Sequence, residues 1–336
     1  TCVPSVPGKE TSGADFGADK IAEMLTWPRV IAEAEVMDYL GVVKGSPRMT
    51  DIVQAGLAAK VTIQGHSPLL MGRELNAYAA AGIDNDHELR RGDEGLEKLR
   101  LGILPLLKLG SFGNHIKNIL PTIKEVPFLE IALCTDDVHP ADIIENGHMN
   151  RVIKEVISHG IDPALAYRFA TLVGARNYAL KDHGAIAPGY LADIVLLTDL
   201  EKVVVSDVFV NGKQVSQNGR LTISIPEPKV SINSTNSVRL NSPLNLGMFT
   251  LTAPIKEGEV DVNTIVYEPS RLTHLEVFTI PVIDHHLQLD ALNTDLCFVT
   301  VIPRHGQKHP APTVVLKGLE WRRGAMGMTI AHDSHN

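Results

Sequence analysis

Short apolar runs alternate with amphipathic stretches between residues 29 and 136. The runs have the length and bounds of buried strands, and they cover residues 29–37, 60–66, 83–88, 103–110 and 128–137. The stretches between them, such as PRMTDIVQAGLAA and GRELNAYAAAG, repeat apolar residues at helical spacing. This alternation predicts parallel strands joined by crossover helices. A doubly wound sheet and an eight-stranded (β/α) barrel both fit the pattern.

The pattern changes after residue 140. Two helices are predicted over 141–160 and 162–180, the second with Asp162 as N-cap and Pro163 in its first turn. A β-rich section follows, with a hairpin turn predicted at Asn211-Gly212. Residues 216–245 are rich in Ser, Asn and Pro and read as a linker, and β-branched runs resume from residue 246.

Polar residues stand at the ends of four predicted strands: Glu35, His66, His87 and Asp136. A single residue of this kind after a strand is usually a loop residue or a helix cap. Together they are spaced by about 25 residues per strand–helix unit, which is normal for a barrel whose strand ends share one mouth. Two imidazoles and two carboxylates there would hold a divalent metal. The strand at 103–107 contributes no polar residue in this interpretation.

The adjacent carboxylates of Asp136 and Asp137 support the same interpretation. Two neighbouring carboxylates repel each other and are costly to desolvate unless a cation compensates them. We therefore predict that Asp136 is a metal ligand and that Asp137 faces the substrate beside it.

Composition narrows the class of protein. The 336 residues are 44% hydrophobic and 21% charged, which is typical of a globular chain. The net charge of −8 argues against nucleic acid or an anionic membrane as a partner. Three scattered cysteines exclude a CxxC zinc site, and no GxGxxG motif follows a predicted strand. We expect a cytoplasmic homo-oligomer that acts on a small molecule.

Several motifs together resemble the bacterial adenine deaminase family of the amidohydrolase superfamily. They are EAEVMDYLGVV, GHSPLLMGRELNAYAAAGIDNDHE, CTDDVHP and the terminal AHDSHN, with the broader signature GAIAPGYLADIVLL. The resemblance covers nearly the whole chain. It implies a metal-dependent (β/α), or TIM, barrel whose N-terminal strands are missing, a small β domain and a C-terminal α/β domain. The implied reaction is the hydrolytic deamination of adenine to hypoxanthine and ammonia, a step of purine metabolism.

The resemblance also implies domain boundaries. Residues 1–183 would form a partial barrel, with strands 3 to 8 and their helices. Residues 184–222 would form the small β domain. Residues 223–336 would form the C-terminal domain, incomplete at its end.

In this family a carboxylate on the fourth strand bridges two metals, and Glu35 matches it. His66, His87 and Asp136 match further ligands of manganese, iron or zinc. Glu88 is the candidate donor of a proton to purine N1. Asp136 would accept a proton from the attacking water, and Asp137 would bind the purine edge. The family's His-x-His pair has no counterpart before residue 35, so an inactive fragment stays open as an alternative.

A cyclic-amide hydrolase on the same scaffold is a further alternative. Such enzymes usually carry a carboxylated lysine as the bridging ligand of the fourth strand. This chain has Glu35 there and no lysine between Arg29 and Tyr39, which favours the deaminase.

Overall fold

The computed structural model describes residues 3–10, 12–127, 129–227, 229, 237–268, 273–292, 294–320 and 323–327. The chain folds into two units: residues 1–6 with 16–228, and residues 7–15 with 229–336. The terminal HDSHN segment lies outside the described residues.

A parallel sheet of five strands organises the first unit. The strands are β1 (Ala32–Val36), β2 (Thr62–Gly65), β3 (Asn85–Asp86), β4 (Leu104–Lys108) and β5 (Ala132–Cys134). They lie side by side in chain order, and every neighbouring pair is parallel. In a doubly wound sheet the order of the strands reverses at a switch point, whereas in a barrel the strands follow one another in chain order. The strand order therefore confirms the barrel-type alternative. Among the described residues the sheet is open, with β1 and β5 at its edges.

Helices follow or precede each of these strands. They are α1 (Ala18–Met24), α2 (Tyr39–Val43), α3 (Pro47–Ala59), α4 (Gly72–Ala80), α5 (Gly92–Arg100) and α6 (Ile116–Ile123). Helix α3 begins with Pro47 at its first position and is capped at its C-terminus by Lys60, which has a left-handed backbone conformation. Met49, Ile52, Val53 and Gly56 form its buried face, at the spacing that the sequence predicts.

The resemblance places a third barrel strand before the one that carries Glu35. The structure has α1 there, and it has no strand within residues 3–10 and 12–31. Prolines at 4 and 7 and glycines at 8, 13 and 17 interrupt this stretch, and both residue types disfavour strand interiors. The described sheet thus has five strands rather than six.

The helices after β5 differ in detail from the prediction. The helix expected over 141–160 is split into α7 (Pro140–Asn146) and α8 (Met149–Ser158). Gly147 separates them with a φ of +91°, which glycine adopts readily. The predicted N-cap of the next helix is confirmed, because the Asp162 carboxylate accepts a hydrogen bond from the Leu165 N–H.

That helix runs as α9 (Pro163–Arg168), a π-helical turn (Phe169–Val173) and α10 (Gly174–Asn177). No helix of the described chain is both long enough and apolar enough to cross a membrane.

A four-stranded antiparallel meander closes the first unit. Its strands are β6 (Ile194–Asp199), β7 (Val204–Val210), β8 (Lys213–Gln217) and β9 (Arg220–Leu221). Val210 pairs with Lys213 across the predicted hairpin turn. Asn211 and Gly212 have φ angles of 50° and 75°, as the tight turn between twisted strands requires. The predicted turn is confirmed.

The second unit contains a mixed sheet in the order β12-β11-β10-β14-β13. These strands are β10 (Glu257–Val266), β11 (His274–Ile283), β12 (His286–Leu287), β13 (Leu296–Thr300) and β14 (Thr313–Lys317). Two short 3-10 turns, Leu246–Phe249 and Leu289–Leu292, accompany them. The described part of this unit has no α-helix, so the α/β character expected for residues 223–336 is not seen there. The boundaries at 183 and 222 stay a prediction.

A carboxyl group is buried beneath β1. Glu33 is 2% exposed, its side chain lies against Gly56 of α3, and in the strand register it pairs with Ile63 of β2. The strand register shifts between Glu33 and Val36, so Glu33 faces α3 while Glu35 reaches the end of the strand. Burial raises the pKa of Glu33 to about 7.

Replacing Glu33 by Gln should change how stability depends on pH. Between its ordinary pKa of 4.5 and the raised value of about 7, the folded chain keeps a proton that the unfolded chain releases. Stability of the wild type therefore falls as pH rises through this window, and the neutral Gln removes that loss. Urea unfolding should show the variant gaining about 2 to 3 kcal/mol on wild type between pH 5 and 8. Parallel pH profiles for the two proteins would contradict the assignment.

Candidate metal centre

Three of the predicted ligands meet at the carboxyl ends of adjacent strands. Glu35 lies in β1, and His66 and His87 directly follow β2 and β3. The Oε2 atom of Glu35 is 3.1 Å from His66 Nδ1 and 2.9 Å from His87 Nε2. The two imidazole rings are 5.2 Å apart, with an angle of 69° between their planes. Each residue offers a donor atom within 4.8 Å of the other two.

Asp136 belongs to a neighbouring group. Donor atoms of His87, Glu88 and Asp136 also lie within 4.8 Å of one another. The structure thus brings the four predicted ligands into two overlapping groups that share His87. Asp136 follows β5 and has a φ of +59°, a region that non-glycine residues rarely adopt and that is common at functional sites.

The strand predicted to contribute nothing supplies a cation. β4 ends at Lys108, whose Nζ forms ion pairs with Glu88 and, at 2.5 Å, with Asp136 Oδ2. The prediction was wrong because only acidic residues and histidines were considered as strand-end groups. Lys108 ends the apolar run ILPLLK, and the end of a parallel strand lies at the same edge of the sheet as the ends of its neighbours. A strand-end lysine is therefore as good an indication of a site residue as a strand-end histidine or carboxylate.

Two cations hold the Glu88 carboxylate. Burial by itself would raise the pKa of Glu88, but the charge and hydrogen bond of Lys108 outweigh it, so the pKa is lowered. Arg90 lies 3.6 Å from the other carboxylate oxygen. The pKa of Lys108 is raised in turn, because Glu88 and Asp136 outweigh the effect of its burial. Glu88 is therefore ionised at neutral pH.

Glu35 is also ionised. Burial would raise its pKa, but the hydrogen bonds to His66 and His87 reverse the effect and lower it. For His87, burial acts to lower the pKa, and the hydrogen bond to Glu35 reverses this and raises it. A carboxylate between two imidazoles can bind a divalent cation when the imidazoles are neutral, because their nitrogen lone pairs are then available as ligands.

A buried tyrosine ties the ends of β1 and β2 together. The Tyr78 hydroxyl donates to the Val36 carbonyl at 2.8 Å and accepts from the His66 N–H at 3.1 Å. Burial raises the pKa of Tyr78, which keeps the hydroxyl protonated and able to donate. Sequence reasoning did not single out Tyr78, since an aromatic residue on a helix face reads as ordinary core.

The structure places Asp137 beside the site through its backbone. Its carbonyl oxygen accepts a hydrogen bond of 2.9 Å from the Ser111 N–H, in the loop after β4. Contact of the Asp137 side chain with a substrate stays a prediction.

The donor types fit a divalent metal. Two imidazole nitrogens and carboxylate oxygens suit Zn²⁺, Mn²⁺ and Fe²⁺. A cavity of about 430 Å³ elsewhere in this unit does not compete for this role. Asp84, Glu130, Arg176 and Asn177 supply its polar lining, which contains none of the predicted ligands, and it lies where β3, β4 and β5 begin.

The chain matches two protein-family models. Residues 18–215 match the amidohydrolase family, and residues 270–336 match the adenine deaminase C-terminal domain. The match to the first covers more than half of the chain. The chain therefore belongs to the amidohydrolase family.

Similar curated proteins are adenine deaminases. That of Moorella thermoacetica is 34% identical over 100% of this chain and 57% of its own length. That of Klebsiella pneumoniae (strain 342) is 38% identical over 99% of this chain and 55% of its own length. The chain thus spans a little over half the length of these relatives. Among solved structures, the beta-aspartyl dipeptidase of Fervidobacterium islandicum has a TM-score of 0.46 and 15% identity, covering 62% of each chain. Similarity this low bears on neither substrate nor mechanism.

Replacing Lys108 by Met should raise the pKa of Glu88, because the nearest cation is removed while the burial remains. The titration can be followed by NMR of ¹³C-labelled glutamate carboxyl groups, with Glu88→Gln identifying the resonance. Lys202→Met removes an exposed lysine paired with Asp199 and should leave Glu88 unchanged. An unaltered Glu88 titration in Lys108→Met would show that Lys108 does not set its charge.

Proposed function

We propose that the chain holds a divalent metal through Glu35, His66, His87 and Asp136 and hydrolyses adenine to hypoxanthine and ammonia. The observation that carries the proposal is the convergence of Glu35, His66 and His87 at the ends of three adjacent parallel strands. The names of the curated relatives support adenine as the substrate.

We further propose that the complete enzyme would hold two divalent ions, and that Glu35 would be a ligand common to both. Glu35 Oε2 lies 3.1 Å from His66 Nδ1 and 2.9 Å from His87 Nε2, which supports placing Glu35 among the ligands. When bound, a divalent cation makes water a nucleophile near neutral pH by lowering its pKa. The identity of the metal, the homo-oligomeric state and the cytoplasmic location stay predictions.

The remaining residues would move protons. Water oxygen must bond to C6 of adenine while N1 gains a proton. Because Glu88 begins as a carboxylate, it would take the proton from water, a role that the sequence analysis gave to Asp136, and pass it to N1. Asp136 would carry the hydroxyl proton of the tetrahedral adduct to the amino group. The C6–N6 bond then breaks and ammonia leaves, so that one water and one adenine give one hypoxanthine and one ammonia.

Lys108 would keep these two carboxylates in place during proton transfer, since its ammonium contacts both. Asp137, next in the chain after Asp136, would hydrogen-bond the purine edge. This division assigns proton transfer to the end of β4 and the loops after β3 and β5. Metal binding falls chiefly to β1 and the loops after β2 and β3.

Glu35→Gln tests the proposal most directly. The purified chain, supplied with Mn²⁺, Fe²⁺ or Zn²⁺, should release ammonia from adenine and form hypoxanthine. In Glu35→Gln the bound metal and the rate should each fall by more than about a hundredfold, because an amide is a poor ligand and cannot bridge. Metal content by mass spectrometry and ammonia release are the two measurements.

Glu33→Gln is the matched control, since it makes the same chemical change two residues earlier, beneath the sheet. It should retain both metal and activity. Dihydroorotate serves as the comparison substrate. Turnover of dihydroorotate but not adenine would replace the deaminase proposal with a cyclic-amide hydrolase, and wild-type metal content in Glu35→Gln would remove Glu35 from the site.

A further inference from the structure

A fully buried lysine lies directly behind the two histidines. Lys98, on α5, has no exposed surface, and four oxygens surround its ammonium group. These are the carbonyls of Ser67 at 3.0 Å and Glu88 at 2.9 Å, Glu94 Oε1 at 3.0 Å and Asp86 Oδ2 at 3.2 Å. An ammonium group has three protons to donate, so all of them find acceptors.

The two carbonyls belong to the residues that immediately follow the histidines. Ser67 comes after His66, and Glu88 comes after His87. Lys98 therefore joins the loop after β2 to the loop after β3 at the positions where their side chains are proposed to bind metal.

Asp86, which forms an ion pair with Lys98, also joins the loop after β2 to the loop after β3. Its Oδ2 accepts from the Ser67 N–H at 3.0 Å and from the Ser67 hydroxyl at 2.5 Å. Its Oδ1 accepts from the Glu88 N–H at 2.7 Å. Both backbone polar groups of Ser67 and of Glu88 are thus bound by one pair of opposite charges.

Glu94 binds the same two loops two residues further along the chain, at Leu69 and Arg90. Its two oxygens accept from the Leu69 N–H at 2.8 Å and the Arg90 N–H at 3.0 Å. Glu94 and Asp86 are both fully buried. The three side chains form one cluster, which we call the buried charge cluster: Asp86, Glu94 and Lys98.

We infer that Lys98 is a positioning residue that sets the separation of His66 and His87 for a bound divalent ion. Coordination demands ligand placement within about 0.5 Å, and groups that orient ligands commonly change metal affinity 10- to 100-fold when removed. A lysine that serves only the fold would alter stability and leave the affinity of the folded site unchanged. The inference rests on the metal site proposed above.

Cobalt(II) binding to the whole chain separates these possibilities, because its visible spectrum reports ligand geometry without turnover. Lys98→Met should weaken Co²⁺ binding by about 10- to 100-fold and alter the absorption bands. The measurement is made well below the unfolding temperature. Ile161→Ala is the control: it removes a buried apolar group from the connection between α8 and α9. It should lower the unfolding temperature and leave the Co²⁺ affinity and spectrum as in wild type.

Lys98→Met leaves two buried carboxylates without a cation and is expected to be strongly destabilised. The double variant Lys98→Met/Glu94→Gln removes one charge of each sign and serves if the single variant does not fold. Wild-type Co²⁺ affinity and spectrum in either folded variant would overturn the inference. Failure of the wild-type chain to bind Co²⁺ would overturn the proposed metal site and this inference with it.

Discussion

The ammonium group of Lys98 can be buried only where oxygens surround it, because an unpaired charge inside a protein is strongly destabilising. Asp86, Glu94 and two backbone carbonyls meet this requirement. The same contacts determine the course of the loops after β2 and β3. The need to surround the buried ammonium group with oxygens thus fixes the backbone of these two loops. His66 and His87 belong to that backbone.

Around this cluster the site has two electrostatic parts. Glu35 and the two imidazoles form one set of donors, joined through Glu35 Oε2. Glu88 and Asp136 already have the cation of Lys108 between them. His87 belongs to both groups. This division supports the proposed separation of metal binding from proton transfer.

Much of the first unit could be predicted from the sequence because local patterns dominate there. The spacing of Met49, Ile52 and Val53 defines a helix face, and Asn211-Gly212 accepts the positive φ angles of a tight turn. Parallel strands bring their carboxyl ends to one edge, so Glu35, His66 and His87 could be placed together before any coordinates. The split at Gly147 could not be foreseen with the same ease, since a glycine inside a helical pattern is often tolerated.

By itself the sequence determined the strand–helix alternation, the strand-end residues and the hairpin, since each depends on residues close together in the chain. Only the tertiary structure decided the strand order, the ion pairs of Lys108 and the burial of Glu94 and Lys98. The last pair reads in sequence as a solvent-exposed i, i+4 salt bridge, yet both side chains have no exposed surface. Burial depends on what packs over a helix face, and that comes from residues far away in the chain.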